Sequence, residues 1–142
     1  MAAPILHHVS ELSAFRLRDG ATNKMVALLP PGQDGAPTSI NLEIFDVGGR
    51  QSPNSHPGSA EAFYFLSGTG LAHCDGDMVP VRGGDFLILP AGSVHYIENT
   101  GDARLYALTT LMADDGSHDG SARPHAALDA EDVTVIAGVA SA

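Results

Sequence analysis

Residues 48–68 read GGRQSPNSHPGSAEAFYFLSG, and residues 84–99 read GDFLILPAGSVHYIEN. Both stretches set short runs of strand character, AFYFL at 62–66, FLIL at 86–89 and VHYI at 94–97, against turns rich in Gly and Pro. Successive side chains of a strand point to opposite faces. An extended chain at 54–56 therefore puts Asn54 and His56 on one side. Glu61 shares its face with Phe63 and Phe65, and His95 shares its face with Ile97 and Asn99. An ionised glutamate among aromatic side chains is costly unless it has a partner. Two histidines and one carboxylate form the facial triad that suits non-haem iron, and also Mn, Ni, Co or Zn. His56, Glu61 and His95 are thus candidate metal ligands. The competing reading is a set of buried, hydrogen-bonded polar groups in a metal-free interior.

Outward from these stretches the pattern repeats. Residues 24–29 (KMVALL), 39–47 (SINLEIFDV) and 105–111 (LYALTTL) also read as strands. Turn chemistry separates them at Pro30-Pro31-Gly32, Gly48-Gly49, Asp75-Gly76-Asp77 and Thr100-Gly101-Asp102. Many short strands at even spacing predict an all-β sandwich or barrel. Residues 9–18 fit a helix through Val9, Leu12 and Phe15 with Ser10 as N-cap, or equally a strand. Residues 113–126 read as a mobile loop, and Val133 to Val139 as one more strand.

Composition narrows the function classes. The chain has 142 residues, with 7 Lys and Arg against 17 Asp and Glu, for a net charge of −10. Such a chain repels phosphate backbones and anionic membranes, so nucleic acid and membrane are not expected partners. A single cysteine, Cys74, excludes an intrachain disulfide and a Cys-rich zinc site. No apolar run approaches the ~18 residues of a membrane span. Residues 1–10 show no basic-then-apolar leader, and the expected location is cytoplasmic.

The two quoted stretches resemble the cupin superfamily. Its first motif, G-x5-H-x-H-x(3,4)-E-x6-G, is matched by Gly48, Asn54, His56, Glu61 and Gly68. Its second, G-x5-P-x-G-x2-H-x3-N, is matched by Gly84, Pro90, Gly92, His95 and Asn99. Every fixed position but Asn54 carries the family's residue. The resemblance covers about residues 38–112. It implies a single jelly-roll (double-stranded β-helix) barrel of two antiparallel sheets, with a metal held inside by His56, Glu61 and His95. In that scheme residues 1–37 form the N-terminal strands or arm of the barrel, 38–112 the barrel core, and 113–142 a C-terminal loop with an extra strand. Asn54 stands where the family has its first ligand histidine. It becomes a weak fourth ligand, a hydrogen-bonding group beside the ligands, a substrate contact, or an inert barrel polar group.

The resulting expectation is one divalent transition metal, Fe2+ before Mn2+, Ni2+, Co2+ or Zn2+, and a small organic substrate inside the barrel. Three open positions on an octahedral metal favour an O2-dependent oxygenase. The alternatives are a non-redox isomerase, cyclase, decarboxylase or lyase, as in natural-product biosynthesis, and a non-catalytic binding barrel. A homodimer is expected, paired through an edge near residues 22–29. Phe63 and Phe65 are expected as pocket wall, Tyr64 and Tyr96 as outward packing residues, and Cys74 as a small buried hydrophobe beside an oppositely facing His73. Arg50 and Arg104 are the cations considered for a carboxylate clamp, with surface positions as the competing reading. His7, His8, His118, His125 and the pair Asp114-Asp115 read as solvated surface.

Overall fold

The computed structural model describes residues 3–114 and 118–138. Its strands are β1 (Ala14–Phe15), β2 (Asn23–Leu29), β3 (Ser39–Phe45), β4 (Glu61–Ser67), β5 (Thr69–Cys74), β6 (Asp77–Arg82), β7 (Phe86–Leu89), β8 (His95–Asn99), β9 (Leu105–Leu111) and β10 (His125–Ala126). One helix, α1, spans Ala130–Ala137. The strands form a seven-stranded sheet, β10-β1-β2-β3-β9-β4-β7, and a three-stranded sheet, β6-β5-β8. All the paired strands run antiparallel. This is the all-β jelly-roll barrel that the motifs implied. No helix among the described residues is long and apolar enough to cross a membrane.

The core between the sheets is Phe45, Phe63, Phe65, Ala72, Val81, Leu89, Ile97, Leu105 and Ala107. Phe63 and Phe65 stack at 5.9 Å within it, so they are packed interior rather than pocket wall. Cys74 packs against the same cluster. A second cluster, Ala14, Val26 and Leu42 with Leu108 and Ile136, lies on the other face of the large sheet. The parity of β3 follows from this. Leu42 belongs to the outer cluster, so Asn41, Glu43 and Phe45 point the other way, into the barrel.

The C-terminal segment corrects the strand expected at Val133–Val139. Residues 133–137 are helical, and position 139 lies outside the described residues. The Asp129 side chain accepts from the Asp132 amide, Asp132 reaches back to the Asp129 amide, and Gly138 ends the helix at φ 68°. These caps, with Ile136 against the outer cluster, outweigh the β propensity of Val133 and Val135. Asp132 anchors the helix. It accepts from Lys24 Nζ at 2.6 Å and from the Tyr106 hydroxyl at 2.7 Å, and pairs with Arg104 at 3.0 Å. Residues 9–18 divide between a 3-10 turn at Val9–Glu11, capped by His8 rather than Ser10, and β1. The expected dimer edge is not open along its length, because β1 pairs with β2 at Phe15 and Met25.

Candidate metal centre

The segment between β3 and β4 crosses the barrel mouth and pairs with β8. Asn54 and His95 exchange backbone hydrogen bonds, each N–H donating to the other's carbonyl at 2.9 Å. The Gly92 N–H donates to the His56 carbonyl at 3.0 Å. At φ 81°, Gly92 holds a turn that a side chain would strain. These bonds bring the two motifs together. The His56 and His95 ring centroids lie 5.6 Å apart, and His95 Nε2 is 3.2 Å from Glu61 Oε1. His95 thus meets Glu61, with the His56 ring beside them, and all three residues are buried.

Hydrogen bonding fixes the character of this contact. The Ser93 hydroxyl donates its one proton to the Pro90 carbonyl at 2.7 Å. It can therefore only accept from His95 Nδ1, 3.3 Å away. A neutral His95 then turns a lone pair toward an acceptor carboxylate oxygen. Two acceptors at 3.2 Å require a proton or a cation between them. Donors about 2.1 Å from one metal and at right angles sit about 3 Å apart, so the spacing fits shared ligation. His56 Nε2 and Glu61 Oε2 are buried and make no hydrogen bond among the described residues. A donor set of imidazoles and a carboxylate with orphaned buried atoms fits a divalent transition metal.

A fourth residue joins them. His118, read as surface, is buried, with Nε2 3.4 Å from Glu61 Oε2 and its ring centroid 5.6 Å from that of His56. His56, Glu61 and His118 each offer a ligand atom within 4.8 Å of the others, a group that does not include His95. Asp114 is likewise buried rather than solvated, accepting from Ser39 Oγ at 2.7 Å. Asp115 lies outside the described residues. The residues of 118–126 pack on the barrel rather than hanging free. Ala126 pairs with Ala14, and the Arg16 N–H donates to the Pro124 carbonyl at 2.8 Å. Nothing periodic marks His118 in the sequence; its position depends on contacts with chain about 60 residues away. His7, His8 and His125 are exposed, as expected.

A cavity of about 510 Å3 opens at the site, its wall including His56, His118, Asn54, Glu43, Gln51 and Asn23. Leu17, Ala21 and Met25 supply apolar surface, and exposed Arg18 and Arg123 stand at the rim. Neither arginine was singled out in the sequence. Arg50 instead lies over the outward Tyr96 ring, and Arg104 is engaged with Asp129, Glu131 and Asp132. His73 stacks on Tyr96 at 4.0 Å, on the face opposite the ligands. The Asn54 amide nitrogen donates to the Ser52 and His95 carbonyls at 3.0 and 3.2 Å. Glu43 is fully buried and accepts from Asn23 and Gln51. Burial first, and the charge of Glu61 second, push its carboxyl up to about 8 against the pull of the two amides.

Comparison with known proteins agrees with this architecture. Residues 41–111 match the family described as the cupin domain. The oxalate-binding protein of Thermotoga maritima is 37% identical over 59 residues, 42% of this chain and 49% of that protein, so the match spans about half of that relative. The polyketide synthase CurC of Streptomyces cyaneus is 32% identical over 100 residues, 70% of this chain and 63% of that protein. The crystal structure of a protein described as a predicted oxalate decarboxylase from Thermotoga maritima superposes with a TM-score of 0.70. Its identity is 25%, covering 77% of this chain and 99% of that one.

Proposed function

The chain belongs to the cupin family, and from that premise we propose that it binds one divalent transition metal through His56, Glu61 and His95 and takes a small carboxylic acid into the adjoining cavity. The observation that carries this reading is the confrontation of His95 Nε2 with Glu61 Oε1 beside the orphaned His56 Nε2. A bound Fe2+ or Mn2+ would supply Lewis-acid polarisation of a substrate oxygen and one-electron chemistry. The protein's own groups select and place the substrate. Arg18 presents guanidinium charge at the rim, where a carboxylate is recognised by N–H donors, and Arg123, whose Nε and Nη1 donate to the Asp119 and Leu17 carbonyls, adds positive charge beside it. Leu17, Ala21 and Met25 hold back water. Glu43, held in place by Gln51 and Asn23, gives the inner wall a carboxyl that meets a polar substrate group.

Among reactions, O2-dependent oxidation of the acid is placed first, because a three-residue ligand set leaves coordination positions for two reactants. The likeness to an oxalate-binding protein supports a second reading, in which a short dicarboxylate is bound or decarboxylated without net oxidation. Metal analysis of protein purified without added metal, followed by parallel oxygen-electrode and CO2-release assays with short mono- and dicarboxylates, separates the two. Absence of any stoichiometric divalent metal would remove both.

A homodimer remains part of the proposal, with its surface moved. The apolar residues exposed on neighbouring strands are Tyr64 and Leu66 on β4 and Phe86 and Ile88 on β7, the end strand of the large sheet.

A further inference from the structure

We infer that His118 is the fourth ligand of the metal and takes the place of the histidine that Asn54 replaces, so that the C-terminal arm, and not the first motif, completes the coordination sphere. The inference rests on the metal reading above and extends it to a residue outside the barrel core.

Three observations carry it. The first is the arrangement around Glu61. Oε1 is 3.2 Å from His95 Nε2, and Oε2 is 3.4 Å from His118 Nε2. Each carboxylate oxygen thus faces an imidazole nitrogen at a spacing suited to ligands of one ion. The second is the symmetry about His56, whose ring centroid is 5.6 Å from both the His95 and the His118 centroids. His56 Nε2 is buried without a hydrogen bond among the described residues. His56, Glu61 and His118 each bring a ligand atom within 4.8 Å of the others, and His95 joins them through Glu61; the motifs supply only two of these three imidazoles. The third is the disposition of Asn54. Its amide nitrogen serves the Ser52 and His95 carbonyls, which ties the side chain to the backbone of the mouth. An amide is also a poor ligand for a borderline transition metal.

The arm is built to hold His118 in place. At one end the Asp114 N–H donates to the Pro37 carbonyl and its Oδ2 accepts from Ser39, so the segment leaves β9 fixed against the start of β3. At the other, β10 pairs with β1, and Gly120 lies so close to the Phe15 ring that a Cβ would stand 2.6 Å from it. Asn41 Nδ2 is 3.5 Å from His118 Nδ1, and Asp114 Oδ2 is 4.0 Å from it. Polar groups on that side of the ring are what orient a ligating imidazole whose other nitrogen faces the metal. A ligand on this arm ties the C-terminal segment and β1 to the centre, and with them the rim arginines Arg18 and Arg123.

The test uses the whole chain and Co2+ as the probe. The wild-type protein loaded with one Co2+ should show three sets of hyperfine-shifted histidine ring signals. His118→Ala should retain two sets and bind Co2+ at least about tenfold more weakly in a chelator competition. The metal-free thermal melt of the variant shows whether it folds, and the wild-type signal count does not depend on the variant. Two shifted sets in the wild type, or unchanged Co2+ affinity in a folded His118→Ala protein, would overturn the assignment while leaving the three-residue centre standing. Failure of the wild type to take up stoichiometric Co2+ would overturn the metal reading and this inference together.

Discussion

The Gln51 side chain donates from one nitrogen to both carboxylate oxygens of Glu43, at 2.9 and 3.0 Å. The orientation of that amide is fixed, because its oxygen accepts from the Ile97 N–H at 2.8 Å. Asn23 adds a third hydrogen bond at 2.7 Å. Even so, burial and the neighbouring Glu61 keep the Glu43 carboxyl protonated up to about 8. Between the ordinary value of 4.5 and about 8, the folded metal-free chain therefore binds a proton that the unfolded chain has released. Stability must fall as pH rises through that window. Urea midpoints of chelator-treated protein should decline from pH 5 to pH 8, and Glu43→Gln should flatten the decline. A wild-type profile as flat as that of the variant would contradict the environment assigned to Glu43.

The same residue shows where sequence reading reaches its limit. The parity of β4 and β8 was legible, because glycine and proline fix the turns beside them and the apolar partners Phe63, Phe65 and Ile97 mark the inner face. In β3 the clue runs the other way. Its apolar Leu42 serves a second core outside the barrel, and polar Asn41 and Glu43 face the site. Without knowledge that α1 and the N-terminal segment cover the outer face, SINLEIF gives no reason to turn its polar row inward. His118 and Asp114 were missed for a related reason. Their burial follows from pairing across the large sheet, and a polar, glycine-containing segment carries no periodic signal of such pairing. The helix was legible in principle, through the Asp129 and Asp132 capping box and Gly138, but its β-branched residues gave the opposite reading.

Asp132 should be a principal anchor of the fold. Its side chain is fully buried and serves Lys24, Tyr106 and Arg104 at once. Burial pushes its carboxyl up, but the hydrogen bonds from Lys24, Tyr106 and the helix cap prevail and hold it below the ordinary carboxylate range. Its contribution is thus complete above the unfolded value, about 4, and lost as pH falls through the lower folded value. Asp132→Asn leaves the Lys24 ammonium buried without its counter-charge, and should cost about 3–5 kcal/mol at neutral pH. Urea denaturation at pH 7 and at about pH 2 checks both points. A loss below about 1 kcal/mol at pH 7 would match an exposed pair, not this one.

Tyr64 and Phe86 stand directly opposite each other on β4 and β7, 43% and 65% exposed, with Leu66 and Ile88 beside them. An apolar stripe along the end strand of a sheet is a surface that a second copy can cover. Sedimentation should give about twice the chain mass of 14.7 kDa. The double substitution Phe86→Asp, Ile88→Asp should give the single-chain mass without altering metal content, since neither residue lines the cavity. A wild-type protein sedimenting as a monomer at micromolar concentration would exclude the dimer.

Asn54→His tests what the departure from the motif means. On the motif alone, the substitution restores a ligand, tightens metal binding and closes an open position. The structure alters that expectation on two grounds. The Asn54 amide joins the Ser52 and His95 carbonyls, so exchanging it removes two hydrogen bonds that hold the motif segment to β8. Replacing an amide donor in this way should cost about 1 kcal/mol of stability. His118 already lies 3.4 Å from the second oxygen of Glu61, so on the inference above an added imidazole meets a site that already has a third nitrogen donor. The variant should therefore melt lower in its metal-free form, with metal affinity within about threefold of wild type, a difference of under 1 kcal/mol. Competition titration and a melting curve on the same preparation measure both. A large gain in affinity without loss of stability would mean that Asn54 leaves a ligand position empty and that the three-residue centre operates without help from the C-terminal arm.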